Sequence, residues 1–171
     1  MEKEKLQSLL LGDMSYFDEF YQETKQKVFY NIYAILKDTS LSEDALQETY
    51  IKFLNNRSKI NIKDNVLGYL FVISRNIALD LIKKRKKETQ FDDYALDSLH
   101  EEKEDSFVED IIPKMKAILK DTEFEIVIMH LVNEMTHKEI ASLLHKPLGT
   151  ITWAYNNAIK KIRKGMNIHE G

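Results

Sequence analysis

At 171 residues, with 43% hydrophobic and 31% charged content, the chain is sized for one ordinary globular domain or two small ones and is too apolar to be disordered throughout. It contains no cysteine, which excludes disulfide frameworks and thiolate metal sites and fits a reducing compartment. Its formal charge of -3 is unevenly spread, with ten acidic residues between Glu88 and Asp110 and basic blocks at Arg75 to Lys87 and Lys138 to Lys164.

The N-terminus MEKEKLQSLLLGD is charged, and its apolar run is too short for a signal peptide. No segment approaches the ~20 apolar residues a membrane span needs, so a soluble, cytoplasmic protein without membrane insertion is expected. Only 5 Gly and 2 Pro punctuate the chain, which favours long helices. From Phe17 to Leu36 the residues Phe17, Phe20, Val28, Ile32, Ile35 and Leu36 recur at helical steps, predicting an amphipathic helix. A second helix is expected after Thr39 and Ser40, with Ser42 as N-cap, Glu43 and Asp44 in its first turn, and Ala45, Leu46, Ile51 and Phe53 facing a core. Asn55 to Ser58 breaks the pattern, and a polar loop follows to about Asp64.

The stretch YLFVISRNIALDLIKKRKK, Tyr69 to Lys87, forms the next predicted helix. Leu70, Ile73, Ile77 and Leu81 share one side, flanked by Phe71, Ala78 and Ile82, while Asn76, Asp80, Lys83 and Lys87 share the other. That polar strip suits DNA, because asparagine reads base edges and lysine neutralises phosphates. It equally suits a solvated face whose lysines complement the helix C-terminus. Glu43, Asp44, Gln47 and Glu48 form an acidic surface fit for a basic protein partner or for solvent. A metal there is a poor reading, since one helix without histidine supplies few converging ligands.

Residues 88 to 110 carry few apolar anchors and dense negative charge, and read as a flexible acidic linker. Helices are then predicted around Ile112 to Leu119, Asp121 to Val132, Thr136 to Leu144 and Leu148 to Lys164. The segment from Thr136 to Lys164 has the form of a helix-turn-helix: Ile140, Ala141 and Leu144, the turn HKPLGT, then Ile151, Ala158 and Ile162. A helical hairpin that binds nothing has the same pattern. The fold class is all-α, with two small helical domains over 1–87 and 111–171 joined by the 88–110 linker.

With these pieces in order, the chain resembles the extracytoplasmic-function (group IV) sigma factors of bacterial RNA polymerase. SEDALQETYIKFL is similar to the family's core-binding helix and YLFVISRNIALDLIKKRKK to its -10 helix. FEIVIMHLVNEMTHKEIASLLHKPLGTITWAYNNAIKKIRK is similar to its -35-binding domain. The resemblance implies that Glu43, Asp44, Gln47 and Glu48 dock on the polymerase core. It implies that Arg75, Asn76, Asp80, Lys83, Lys84 and Lys87 engage and help melt the -10 element, with a flipped base captured by the loop near Asn55 to Asp64. Contacts to the -35 element fall to Lys138, Thr150, Thr152, Asn156, Asn157, Lys160 and Lys161. The implied partners are core RNA polymerase, promoter DNA and an anti-sigma factor, with no cofactor.

Two departures stand out. The family's second DNA-binding helix carries arginines after its Gly-Thr-Val, whereas Gly149-Thr150-Ile151-Thr152-Trp153-Ala154-Tyr155-Asn156-Asn157 has no positive charge before Lys160. Weaker -35 binding with a flatter salt dependence is therefore expected, while Trp153 and Tyr155 are left to pack or to meet a regulator. His145 also stands where the turn commonly has glycine. The rival reading is a sigma-like DNA-binding regulator or accessory subunit that needs a partner to initiate. A small enzyme finds little support, because the five histidines are scattered and Ser74 has no histidine nearby in sequence.

Overall fold

The computed structural model describes residues 1–61, 65–89 and 107–166. They form α1 (Lys3–Leu11), a 3-10 turn (Met14–Tyr16), α2 (Phe17–Leu36), α3 (Thr39–Asn56), a second 3-10 turn (Arg57–Lys59), α4 (Val66–Thr89), α5 (Phe107–Ile118), α6 (Asp121–Leu131), α7 (His137–Leu144) and α8 (Leu148–Gly165). No strand occurs among the described residues. The chain divides into two compact units, Met1–Lys83 and Lys84–Gly171. The linker predicted over 88–110 lies outside the described residues except at its ends, where α4 runs through Thr89 and α5 begins at Phe107.

In the first unit, α2 and α3 meet through an aromatic cluster. Phe20 stacks on Phe53 at 5.0 Å between centroids, and Tyr50 meets Tyr21 edge-on at 4.8 Å. Such pairs contribute about 0.5–1.5 kcal/mol each beyond area burial. The Tyr50 hydroxyl lies 2.7 Å from Thr24 Oγ1, so the ring is buried without orphaning its polar end. Burial pushes its phenol well above the usual tyrosine range. A polar latch ties α4 to α2: buried Asn31 donates from Nδ2 to Ser74 Oγ at 2.9 Å and to the Phe71 carbonyl at 3.3 Å. Ser74, which periodicity had not placed in the core, is thereby a fully buried structural hydroxyl.

Helix α3 starts four residues earlier than its sequence suggests. The Asp38 side chain accepts from the Leu41 amide at 3.0 Å and caps the helix, as a carboxylate does at an N-terminus. Ser42 is not the cap; it is buried inside the helix and donates to the Asp38 carbonyl at 2.6 Å. A competing cap four residues upstream overrode the local serine signal. Helix α1 and its following turn had no sequence prediction; α1 buries only Leu9 and Leu10, too narrow an apolar stripe to stand out.

The second unit packs α5, α6, α7 and α8 around Ile126, Met129, Ile140, Ala141, Ile151 and Ala154, among others. Pro113 sits inside α5, where it offers no amide to the preceding turn. At the far end of α8, a Cβ on Gly165 would lie 2.7 Å from Ile118 Cδ1, so a larger residue there would make the Ile118 side chain shift.

Candidate polymerase and nucleic-acid interfaces

On α3, the inward side buries Ala45, Leu46, Thr49, Tyr50 and Phe53, and the outward side exposes Glu43, Asp44, Gln47 and Glu48. All four residues predicted to meet the polymerase therefore share an open surface. Glu48 is partly neutralised by Lys52 at 3.0 Å, one turn on. The prediction that Ile51 faces the core is corrected: it is 59% exposed. Seven residues after Asp44 and four after Gln47, it falls on the acidic side of the helix, and the helical register alone would have placed it there.

On α4, the apolar side divides by depth. Leu70, Phe71, Ile77 and Ala78 are buried, while Ile73, Leu81 and Ile82 are half-buried. Opposite them, Asn76, Asp80, Lys83 and Lys87 are exposed; Lys84, exposed, and Arg75, half-buried, lie at the margins of the apolar side. Lys83 Nζ lies 3.5 Å from Asp80 Oδ1, with both side chains 73% exposed. The negative charge of Asp80 thus sits within reach of the cationic end and orients part of it. Of the loop predicted near Asn55 to Asp64, α3 takes the first residues and the 3-10 turn the next, with the Arg57 guanidinium donating to the Leu54 carbonyl. Residues 62–64 lie outside the described residues.

The α7–α8 pair has the predicted turn between its helices. Thr136 caps α7 reciprocally with Glu139: its hydroxyl accepts from the Glu139 amide at 3.2 Å, and Glu139 Oε2 accepts from the Thr136 amide at 2.8 Å. His145 ends α7 in the left-handed conformation, φ 52° and ψ 44°, and the next amide, Lys146 N–H, donates to the Ala141 carbonyl at 3.0 Å. Pro147 then stands at the N-cap of α8, and its carbonyl accepts from the Thr150 amide at 3.0 Å.

The seven residues assigned to the -35 element separate into two groups. Lys138, Thr150, Asn156 and Lys160 are exposed. The other three, Thr152, Asn157 and Lys161, are half-buried and make contacts within the unit. Asn157 Nδ2 donates to Glu123 Oε1 at 2.7 Å, and Lys161 Nζ reaches both Glu123 oxygens at 2.7 and 2.8 Å. Thr152 is half-buried, with its hydroxyl 3.3 Å from His137 Nδ1. Burial pushes the Glu123 carboxyl up, but Lys161, the Lys120 amide and Asn157 together hold it below the usual glutamate range. Glu123 on α6 gave no sequence signal of this role, because its partners lie 34 and 38 residues away.

Tyr155 packs rather than projects, in ring contact with His130 at 4.6 Å and His137 at 4.8 Å. Burial and, less strongly, the neighbouring His130 lower the His137 pKa, favouring the neutral ring. Trp153 does the opposite and stands 69% exposed on the outer side of α8. Among the described residues, no group of three or more His, Asp or Glu side chains is arranged to hold a metal, and no helix is long and apolar enough to cross a membrane.

Comparison with known proteins accounts for this arrangement. Residues 17–88 match the family model Sigma-70 region 2, and residues 110–162 match Sigma-70, region 4. The chain is 27% identical to the ECF RNA polymerase sigma factor SigM of Bacillus subtilis, over 75% of this chain and 81% of that one. It is 24% identical to the ECF RNA polymerase sigma factor SigK of Mycobacterium tuberculosis, over 91% of this chain and 88% of that one. In fold it is similar to the sigma factor RpoE of Bartonella quintana, solved in complex with the anti-sigma factor NepR, with a TM-score of 0.75, 18% identity and coverage of 90% of this chain and 98% of that one. With both regions present in order across most of its length, the chain belongs to the extracytoplasmic-function sigma factors of the sigma-70 family, which direct RNA polymerase to initiate transcription.

Proposed function

We propose that α3 docks on the polymerase core through Glu43, Asp44, Gln47 and Glu48, with Ile51 as an apolar contact among them. In this reading α4 engages the -10 element through Arg75, Asn76, Asp80, Lys83, Lys84 and Lys87, its lysines on phosphates and Asn76 at a base edge. The second unit sets α8 in the major groove of the -35 element through Thr150, Asn156 and Lys160, with Lys138 of α7 on the backbone. The domain bounds follow: 1–87 for core and -10 contacts, 111–171 for -35 contacts, and 88–110 as the tether. The protein acts without catalysis of its own, works in the cytoplasm, and is held in check by an anti-sigma factor.

One observation carries this reading. The four α3 residues are exposed on one side of their helix, and on α4 Asn76, Asp80, Lys83 and Lys87 are exposed on one side, with Lys84 exposed beside them and Arg75 half-buried. The test is promoter-specific run-off transcription with the purified chain and core polymerase, alongside co-elution of the two. Initiation from a defined start site is expected. Core binding without initiation would favour the rival, a sigma-like regulator that needs a partner, and absence of both would overturn the reading.

A further inference from the structure

Resting on that reading of α8, we infer that Trp153 is a specificity-determining residue that reads thymine in the -35 element by packing its indole against the C5-methyl group. Gly149, Trp153, Asn156 and Lys160 follow one another at helical steps and form the outer stripe of α8, opposite buried Ile151, Ala154, Ala158 and Ile162. Trp153 is 69% exposed at the middle of this stripe, and a Cβ on Gly149 would meet nothing within 4 Å, so the approach to the indole is open.

The chemistry of the stripe selects the occupant. A helix face built for a partner helix or groove presents apolar anchors at i, i+3, i+4 and i+7. Here the indole is the one large apolar group of its stripe, and its neighbours are glycine, an amide and an ammonium group. Leu148, the other exposed apolar residue of α8, lies about 100° round the helix from Gly149. Helix α8 carries no Asp or Glu, and Lys138, Lys146, Lys160 and Lys164 are exposed on α7, the turn and α8. A cationic surface with one isolated aromatic group fits a polyanion whose interior offers scattered methyl groups. The major groove is such a ligand: it admits a helix, and thymine alone among the bases presents a methyl there. Asn156, one turn further on, has the amide that reads adenine. The stripe as a whole therefore favours an A·T-containing site, read by one apolar and one bidentate contact rather than by arginines on guanine.

The experiment uses the full chain bound to core polymerase and run-off templates randomised upstream of the -10 element. The natural chain is expected to fix thymine at one or more positions, and Trp153→Ala to relax that position while still initiating. Replacing that thymine by uracil removes only the methyl. This should weaken the natural holoenzyme about fourfold, the effect of losing one buried methyl contact, and leave Trp153→Ala nearly unchanged. Trp153 is also the only tryptophan of the chain, so its emission reports directly: in the unmutated free chain it should shift on adding the selected duplex. A selected pool without fixed thymine, equal uracil sensitivity in both proteins, or emission unchanged at saturating duplex would each overturn the assignment. Loss of promoter-specific initiation by the natural chain would instead take down the sigma reading of these interfaces.

Discussion

Helices α4 and α8 carry similar polar residues and use them in opposite ways. Each pairs a lysine with a carboxylate: Lys83 with Asp80 at 3.5 Å, and Lys161 with Glu123 at 2.7 Å. The first pair lies on one helix with both side chains 73% exposed, and such pairs contribute about 0–1 kcal/mol. The second joins two helices, and its carboxylate side chain is only 6% exposed. A buried carboxylate cannot stay ionised without partners, so it takes up the Lys161 ammonium and the Asn157 amide. The lesson is that the polar residues of a basic helix in this chain are not equally free. What faces it across the core decides which cations remain for phosphates.

The sharpest way to break this comparison is to neutralise each carboxylate. Glu123→Gln should destabilise the second unit by about 2 kcal/mol, below the usual cost of breaking a buried pair because Lys161 keeps 34% of its side chain in water. Asp80→Asn should cost less than about 0.5 kcal/mol. Urea unfolding of the full chain followed by circular dichroism measures both, and equal effects would sink the distinction. The pH dependence carries the same sign. The Glu123 carboxyl is lowered by folding, so its contribution is present above the ordinary glutamate pKa and is lost as pH falls through its folded value. The gap between the natural chain and Glu123→Gln should therefore close below about pH 4.

The α3 acids extend the comparison to a protein partner. Asp44→Arg should weaken co-elution with core polymerase about tenfold or more by reversing a charge at the interface, with circular dichroism unchanged. Undiminished co-elution would remove the role given to that side of α3. Next in size is the contrast between two asparagines. Asn76→Ala should lower open-complex formation about fivefold, the loss of one base-edge contact, with core binding preserved. Asn157→Ala should lower stability instead, since its amide holds Glu123. A permanganate footprint of the -10 region distinguishes the two.

A finer test compares salt dependence. Removing Lys83, Lys84 and Lys87 together should lower the salt slope of promoter binding by about 3, roughly one per phosphate contact, and Lys161→Ala should leave it unchanged. Smallest of all is His145→Gly. With φ at 52° the histidine pays a left-handed strain that glycine lacks, so the substitution should raise stability by about 0.5 kcal/mol despite the greater freedom of the unfolded chain. A thermal melt with no gain would mean that the His145 side chain makes up for its own strain.

Much of this molecule was legible in one dimension. Periodicity placed α2 at Phe17 to Leu36 and α8 from Leu148 to within a residue of its end, because both bury a regular apolar stripe. Misreadings arose where two local signals competed, as at Ser42 beside Asp38. Ile51 was assigned by hydrophobicity when helical register pointed the other way.

The exposed residues of α3 and α4 follow from patterns that repeat within a turn or two of helix, and the family and the order of its two regions from the resemblance of three stretches in sequence. The roles of Asn157, Lys161, Thr152 and Trp153 do not. Each depends on whether something stands opposite it across the second unit: Glu123 meets two of them, His137 meets the third, and among the described residues the indole is left largely exposed. Partners 15 to 38 residues away in the chain become neighbours only when the helices pack. It is that packing, through the need of a buried carboxylate for counter-charge, that separates the residues holding the second unit together from those left on its surface.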